Sequence, residues 1–380
     1  MAAASLPTPT AHIVSQLSKQ TLHFPNVQHM MQHWPKGPNP NIESARLEAE
    51  QLLRTAFDDP GKLAKLGKCD FGGLAALCFP TCAPIKLIAA TRFLAWIFLW
   101  DDEIDMGEGA TQTSRDQQRA RDYCHDSLRR VRQAMDPGCC TEARVEKDRR
   151  GLMSVFDDLS RQLHADMSSD QRARFSREIE EYISETAVEQ TNQQQGCVAS
   201  FEDYMNMRLR TSGIGSGLAL CEFTAGVDLP SWAMDSQEMV TMWREITSIC
   251  MLINDVYSLK KELGHGVIQN AIPILVSSLQ EQDLAHAVEI LAQKIEHSIA
   301  LFDETLKTLH CRFSERGERP DDLIQYADAC RMIATGLLEW LLTSPRYGMH
   351  RYVQPDGSVI VPLGCATDKL EPRGHAETKP

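Results

Sequence analysis

The sequence predicts an all-α protein. Apolar residues recur at three- and four-residue spacing through most segments, as on the buried face of a helix. Glycine and proline punctuate those segments, and no stretch carries the alternation of a half-buried strand. With 380 residues, 43% hydrophobic and 24% charged, the chain has the balance of a soluble globular protein and ample length for a large core. Its net charge of −13 at pH 7 argues against broad contact with nucleic acid or an anionic membrane, though not against a local basic pocket.

Residues 1–25 show little periodic hydrophobicity and read as a flexible arm of the kind that can fold over a site. The first lysine is Lys19, so the charged-then-apolar layout of a signal peptide is missing. The longest apolar run, residues 93–100, is eight residues, against the ~18 of a membrane span. A cytoplasmic protein without stable membrane association is expected. The cysteines are scattered without metal-binding spacing and read as buried free thiols.

Residues 26–363 form the body. Ala45, Leu47, Ala49, Leu52, Leu53 and Ala56 suit a helix over 42–57 that Pro60 and Gly61 end, and a short helix follows over 63–77. From Pro84, a favourable first helical residue, apolar side chains surround the chain on nearly every side to Trp100, which places that helix inside the protein. Residues 111–135 carry a thin apolar stripe and a basic face, Arg129, Arg130 and Arg132, that reads as solvated. Amphipathic helices are expected over 144–167 and 171–191. In 201–226 a helical pattern meets Gly213, Gly215 and Gly217. Each weakens a helix by ~1 kcal/mol relative to alanine, so the break needs a reason such as a kink or close backbone approach. Further helices are expected over 239–262, 270–279, 282–312 and 321–344, and residues 364–380 read as a disordered tail.

Two polar constellations interrupt this apolar pattern. DDEID, residues 101–105, ends the helix that begins at Pro84; at helical spacing Asp101, Asp102 and Asp105 can converge on one side. Unpaired they would repel, and hard cations such as Mg²⁺ take carboxylate oxygens together with substrate phosphates. In the helix over 239–262, Asn254, Ser258 and Glu262 recur every four residues. That places an amide, a hydroxyl and a carboxylate oxygen along one face, with Lys261 adding a cation. Arg208 and Arg210 stand just before the helix break; one reads as an anion ligand and the other as a surface or structural residue.

Together these motifs resemble the class I terpene synthases. DDEID matches the family's DDxxD, and NDVYSLKKE, residues 254–262, matches NDxxSxxKE in full. YMNMRLRTSG resembles the diphosphate-sensing segment, with Arg208 46 residues before Asn254, the family's usual separation. LEWLLTSPRY, with Trp340, Ser344, Arg346 and Tyr347, resembles the closing WxxxSxRY. The resemblance implies a single class I terpenoid synthase α-domain, about a dozen helices around a central apolar pocket. It also implies ionisation of an isoprenyl diphosphate with three Mg²⁺ ions. Asp101 would bind two of them, with Asp105 or Asp102 supporting, and Asn254, Ser258 and Glu262 the third. Arg208, Lys261, Arg346 and Tyr347 would hold the diphosphate. Phe93, Trp96, Ile97, Phe201 and Trp340 are candidates for the pocket wall. Some microbial members carry an acid where this chain has Thr211 and Ser212, a departure in the segment linking sensing to ionisation.

The size of the chain resembles fungal sesquiterpene cyclases, so farnesyl diphosphate is the expected substrate and geranylgeranyl diphosphate the alternative. A chain-elongating prenyltransferase would carry acids where Asn254 and Ser258 stand. A non-catalytic helical binding protein would have no use for three oxygen donors on one helix. A monomer or homodimer is expected.

Overall fold

A computed structural model describes residues 9–104, 111–136, 151–194, 200–279 and 283–364. Among them, thirteen helices of eight residues or more carry the architecture. The tail, but for Gly364, lies outside the described residues, as does the first part of the helix expected over 144–167, which is seen as Leu152–Asp166.

Two expectations fail at the N-terminus. From Pro9 the supposed arm is a helix, Pro9–Leu17, and a strand, Thr21–Phe24, that pairs antiparallel with Val359–Pro362. Ile13, Leu17, Leu22 and Phe24 are buried, which ties residues 9–24 to the body. Four-residue strands are too short for alternation to stand out, and the partner strand is more than 300 residues away.

Ile42–Ala56 buries Ala45, Ala49, Leu52 and Leu53 and leaves Leu47 exposed. The single helix expected over 63–77 is two, Pro60–Gly67 and Phe71–Cys78. Asp70 separates them: its backbone is left-handed at φ 50° while its carboxylate caps Gly73 N–H at 3.0 Å. Arg46 clamps the same carboxylate at 2.8 and 3.0 Å.

Pro84–Ile104, the aspartate helix, is buried on most sides and packs against Ile42–Ala56, Phe71–Cys78 and Leu152–Asp166. Gln237–Gly264, the asparagine helix, starts at Ser236, whose hydroxyl accepts from Met239 N–H at 3.1 Å. It packs against Leu284–Glu315 and Pro320–Thr343. The last of these meets Phe71–Cys78 so closely that a Cβ on Gly336 would lie 2.4 Å from the Leu77 backbone. Only glycine lets the two halves join there.

Gln117–Met135 buries Ala120, Cys124, Val131 and Met135. Of the arginines expected on a solvated face, Arg132 is exposed and reaches Glu180 at 2.6 Å, whereas Arg130 is largely covered and pairs with Asp157 at 2.8 Å on a neighbouring helix. The described cysteines are all free, and all but Cys311 are buried. No helix among the described residues is long and apolar enough to cross a membrane.

Candidate active site

The aspartate and asparagine helices both line a cavity of about 250 Å³. On the first, Phe93, Leu94, Ile97, Phe98, Asp101 and Asp102 face it. At 1.5 Å per residue, Asp101 stands about 12 Å along the axis from Phe93. On the second, Cys250, Met251, Asn254, Asp255, Ser258, Lys261 and Glu262 do so. Each helix thus runs from hydrocarbon to oxygen donors, and Leu74, Ile333 and Leu337 add to the apolar lining.

The helix break supplies a third wall through Thr211, Ser212, Gly213, Ile214 and Gly217. Phe201–Thr211 ends, Gly213 turns left-handed at φ 72°, and Ile214–Leu218 begins. The left-handed backbone at Gly213 suits glycine, and a Cβ there would fall 2.6 Å from Ile97 Cδ1 on the aspartate helix.

On the aspartate wall, Tyr182 Oη donates to Asp101 at 2.8 Å, and Arg346 donates to both oxygens of Asp102 at 3.0 and 3.5 Å. Asp105 lies outside the described residues. The Arg346 guanidinium stands 5.7 Å from the Phe98 ring centre and 5.9 Å from that of Tyr347, while Lys261 Nζ lies 5.7 Å over Tyr347. Burial works against charge on Arg346; Tyr347 and Asp102 more than offset it and hold its pKa well above the ordinary value.

On the asparagine wall, protein encloses Glu262 although cavity space reaches it. Burial first, then the nearby Asp255, pushes its carboxyl up to about 7, against the easing influence of Ser258 and Asn270. Ser258 Oγ is near enough to ease that charge but is itself buried without a well-formed hydrogen bond. Asp255 is committed elsewhere: it accepts from Tyr204 Oη at 2.6 Å and from Ala271 N–H at 3.0 Å. Burial lifts its carboxyl to about 6.

The two arginines separate. Arg208 lines the cavity; burial opposes its charge, but Tyr204, Glu189, Asp255 and Asp101 hold its pKa above the ordinary value. Arg210 is 44% exposed and paired with Glu185 at 3.0 Å.

Four buried polar atoms without hydrogen-bond partners, Arg208 Nε, Thr211 Oγ1, Ser258 Oγ and Arg346 Nε, belong to residues of this one cavity. Each such group costs about 1–3 kcal/mol when left unpaired, so these four atoms are available to a polar ligand in the cavity. The oxygen donors of the two walls are of the kind Mg²⁺ prefers. Among the described residues, no three His, Cys, Asp or Glu side chains cluster as a metal site by themselves. The donors are divided between walls, and Asn254 and Ser258 contribute amide and hydroxyl oxygens instead.

Of the expected wall residues, Phe93 and Ile97 face the cavity, and Trp96, Trp340 and Phe201 do not. Trp96 lies off the face through Leu94, Ile97 and Asp101 and packs on Phe156 at 4.7 Å between ring centres. Trp340 sits behind the wall, 5.4 Å from Phe98 and 5.6 Å from Tyr347, its indole N–H held by the Cys69 carbonyl at 2.7 Å. Phe201 is the first residue of its helix, half-buried and remote from the cavity end. Sequence reasoning missed Tyr182, Thr186, Glu189 and Gln190, which line the cavity from Ser169–Gln194. Their i, i+4, i+7, i+8 spacing continues the buried stripe of Phe175 and Ile179, a polar continuation that was the available signal.

Comparison with known proteins agrees with this geometry. Residues 92–300 match the model of terpene synthase family 2, C-terminal metal binding. The chain is similar to sesquiterpene cyclase hepA of Aspergillus oryzae, 28% identical over 93% of this chain and 96% of that one. It is also similar to terpene cyclase braA of Annulohypoxylon truncatum, 25% identical over 90% of each. Its fold is similar to that of the linalool/nerolidol synthase of Streptomyces clavuligerus, solved with 2-fluorogeranyl diphosphate. That likeness has a TM-score of 0.68 and 20% identity over 80% of this chain and all of that one.

Proposed function

The chain belongs to terpene synthase family 2, and from that premise we propose that it is a Mg²⁺-dependent sesquiterpene cyclase. It ionises farnesyl diphosphate, releases diphosphate and closes the carbocation to a sesquiterpene hydrocarbon or alcohol. The observation that carries this reading is the joining of two oxygen-donor walls, with unpartnered Arg208, Ser258 and Arg346 atoms, to one apolar cavity.

Asp101 and Asp102, joined by Asp105, would hold Mg²⁺ on one side, and Asn254, Ser258 and Glu262 on the other, three ions in all. Bound there, the metal supplies Lewis-acid stabilisation of the charge that grows on the departing diphosphate. Arg208, Lys261 and Arg346 direct positive charge at the same oxygens, and Tyr347 offers a hydroxyl. Because these donors are placed before reaction, little reorganisation accompanies the loss of the leaving group. Phe93, Leu94, Ile97 and Phe98 exclude water from the cation, and the faces of the two phenylalanine rings favour its positive charge. A wall about 12 Å deep suits a folded fifteen-carbon chain, and the names of the sesquiterpene relatives support that length.

Parallel incubation with geranyl, farnesyl and geranylgeranyl diphosphates in Mg²⁺, followed by analysis of volatiles, tests the reading. A fifteen-carbon hydrocarbon or alcohol from farnesyl diphosphate is expected. A twenty-carbon cyclic product in its place would move the substrate to geranylgeranyl diphosphate. A lengthened diphosphate in a further incubation that adds isopentenyl diphosphate would indicate chain elongation, and no product in any of them a binding protein.

A further inference from the structure

Asn270 lies eight residues beyond Glu262, outside every motif that the sequence singles out, and it is wholly buried. Its Oδ1 accepts from Ile272 N–H at 2.9 Å and so caps Ala271–Ser278. Its Nδ2 donates to the Asp255 carbonyl oxygen at 2.7 Å and to Glu262 Oε2 at 2.9 Å. A primary amide has one acceptor oxygen and two N–H donors, and here every one is engaged. The orientation is therefore fixed. Turned over, the oxygen would face a carbonyl and a carboxylate while the NH₂ faced an N–H.

Capping alone does not require this residue, because aspartate and serine serve about as well as asparagine at a helix N-cap. The three contacts together need one acceptor and two donors on one side chain, which an amide has and a carboxylate or a single hydroxyl does not. The surroundings hold the arrangement, since the Asp255 carboxylate takes the next amide of the same helix start, Ala271 N–H.

We propose that Asn270 is a positioning residue for the reaction: it fixes the rotation of the Glu262 carboxylate beside Ser258 and Asn254, and so sets the donor face that meets a divalent cation. The proposal rests on the reading of Glu262 as a metal donor. Partners of metal-binding side chains commonly change affinity by about 10–100-fold when removed, because a donor that must be ordered on binding binds less well than one held in place.

Asn270→Asp keeps an oxygen for the helix cap and has no N–H for Glu262, and Asn270→Ser keeps a cap oxygen with one shorter O–H in place of two N–H donors. Melting temperature is measured for wild type and both variants, alone and with Mn²⁺ plus inorganic diphosphate. Half-saturation of turnover by Mg²⁺ is measured alongside kcat at saturating metal. At least one variant should melt near wild type without ligand, lose most of the ligand-induced rise, and need about 10–100-fold more Mg²⁺, with kcat largely recovered at high metal. A folded variant that keeps the wild-type rise and Mg²⁺ requirement would overturn the proposal, as would loss of folding in both variants, which would leave Asn270 a structural cap only. If wild type shows no Mn²⁺–diphosphate rise, the metal reading of Glu262 falls first.

Discussion

Asp101 and Asp102, the latter with its side chain 37% exposed, are held by Tyr182 and Arg346 from remote parts of the chain. Asn254 and Ser258 lie inside a 28-residue helix and Glu262 in its last turn, backed by buried Asp255, Tyr204 and Asn270. The aspartate wall is thus set by side-chain partners that a ligand could displace. The asparagine wall is set by a helix, a cap and buried hydrogen bonds. The contrast teaches that one wall of the cavity is set by its own helix and buried partners, while the other is held by groups that, on the proposed function, diphosphate and metal would themselves attract.

The largest expected effect is symmetrical and tests whether both walls are needed. Asp101→Ala and Asn254→Ala should each lower kcat by about 10²–10³-fold, the scale of removing one charge-stabilising donor, with little change in melting temperature. Full turnover in either would remove that wall from the chemistry. Next, Arg208→Ala should lose activity on a similar scale, whereas Arg210→Ala, which breaks an exposed pair worth about 0.2–1 kcal/mol, should stay near wild type. The reverse order would place the diphosphate contact two residues away.

Two tyrosines divide the walls more finely. Tyr182→Phe deletes a hydrogen bond to the Asp101 carboxylate on the displaceable wall; a raised Mg²⁺ requirement is expected, with a smaller fall in melting temperature than in Tyr204→Phe. Tyr204→Phe removes a donor from buried Asp255 on the prefolded wall, and a lower melting temperature is expected. Equal behaviour of the two variants would erase the distinction.

The smallest effect lies away from both walls. Burial beneath the helix break, and then Glu181, lifts the Glu178 carboxyl from its ordinary range to about 7, partly opposed by Arg177. The folded state then binds more protons than the unfolded state between that ordinary range and about 7, so stability falls as pH rises through the window. Glu178→Gln should raise the melting temperature at pH 8 by on the order of 1–3 °C and do little at pH 5. An equal gain at both values would show that Glu178 does not titrate there.

The helical fold was legible, and so were the two oxygen-donor stretches that line one cavity, because their signals are local. Asp101 with Asp102, and Asn254 with Ser258 and Glu262, announce themselves through spacing on one helix. The pairing of Thr21–Phe24 with Val359–Pro362 was not legible, since four-residue strands carry little pattern and their register is fixed across the whole chain. Tyr182 and Asn270 escaped for the same reason: each matters through a partner in space, Asp101 or Glu262, that no local period reveals. Trp96 and Trp340 show the opposite error, in which aromatic character suggested the cavity although rotation about the helix turned both rings into the core.

Anomalous scattering from crystals containing Mn²⁺ and inorganic diphosphate tests most directly whether the two walls grip one metal–diphosphate cluster. The expected result is metal beside Asp101 and metal among Asn254, Ser258 and Glu262, with diphosphate between them in reach of Arg208 and Arg346. Metal at only one wall, or diphosphate bound apart from both, would contradict it.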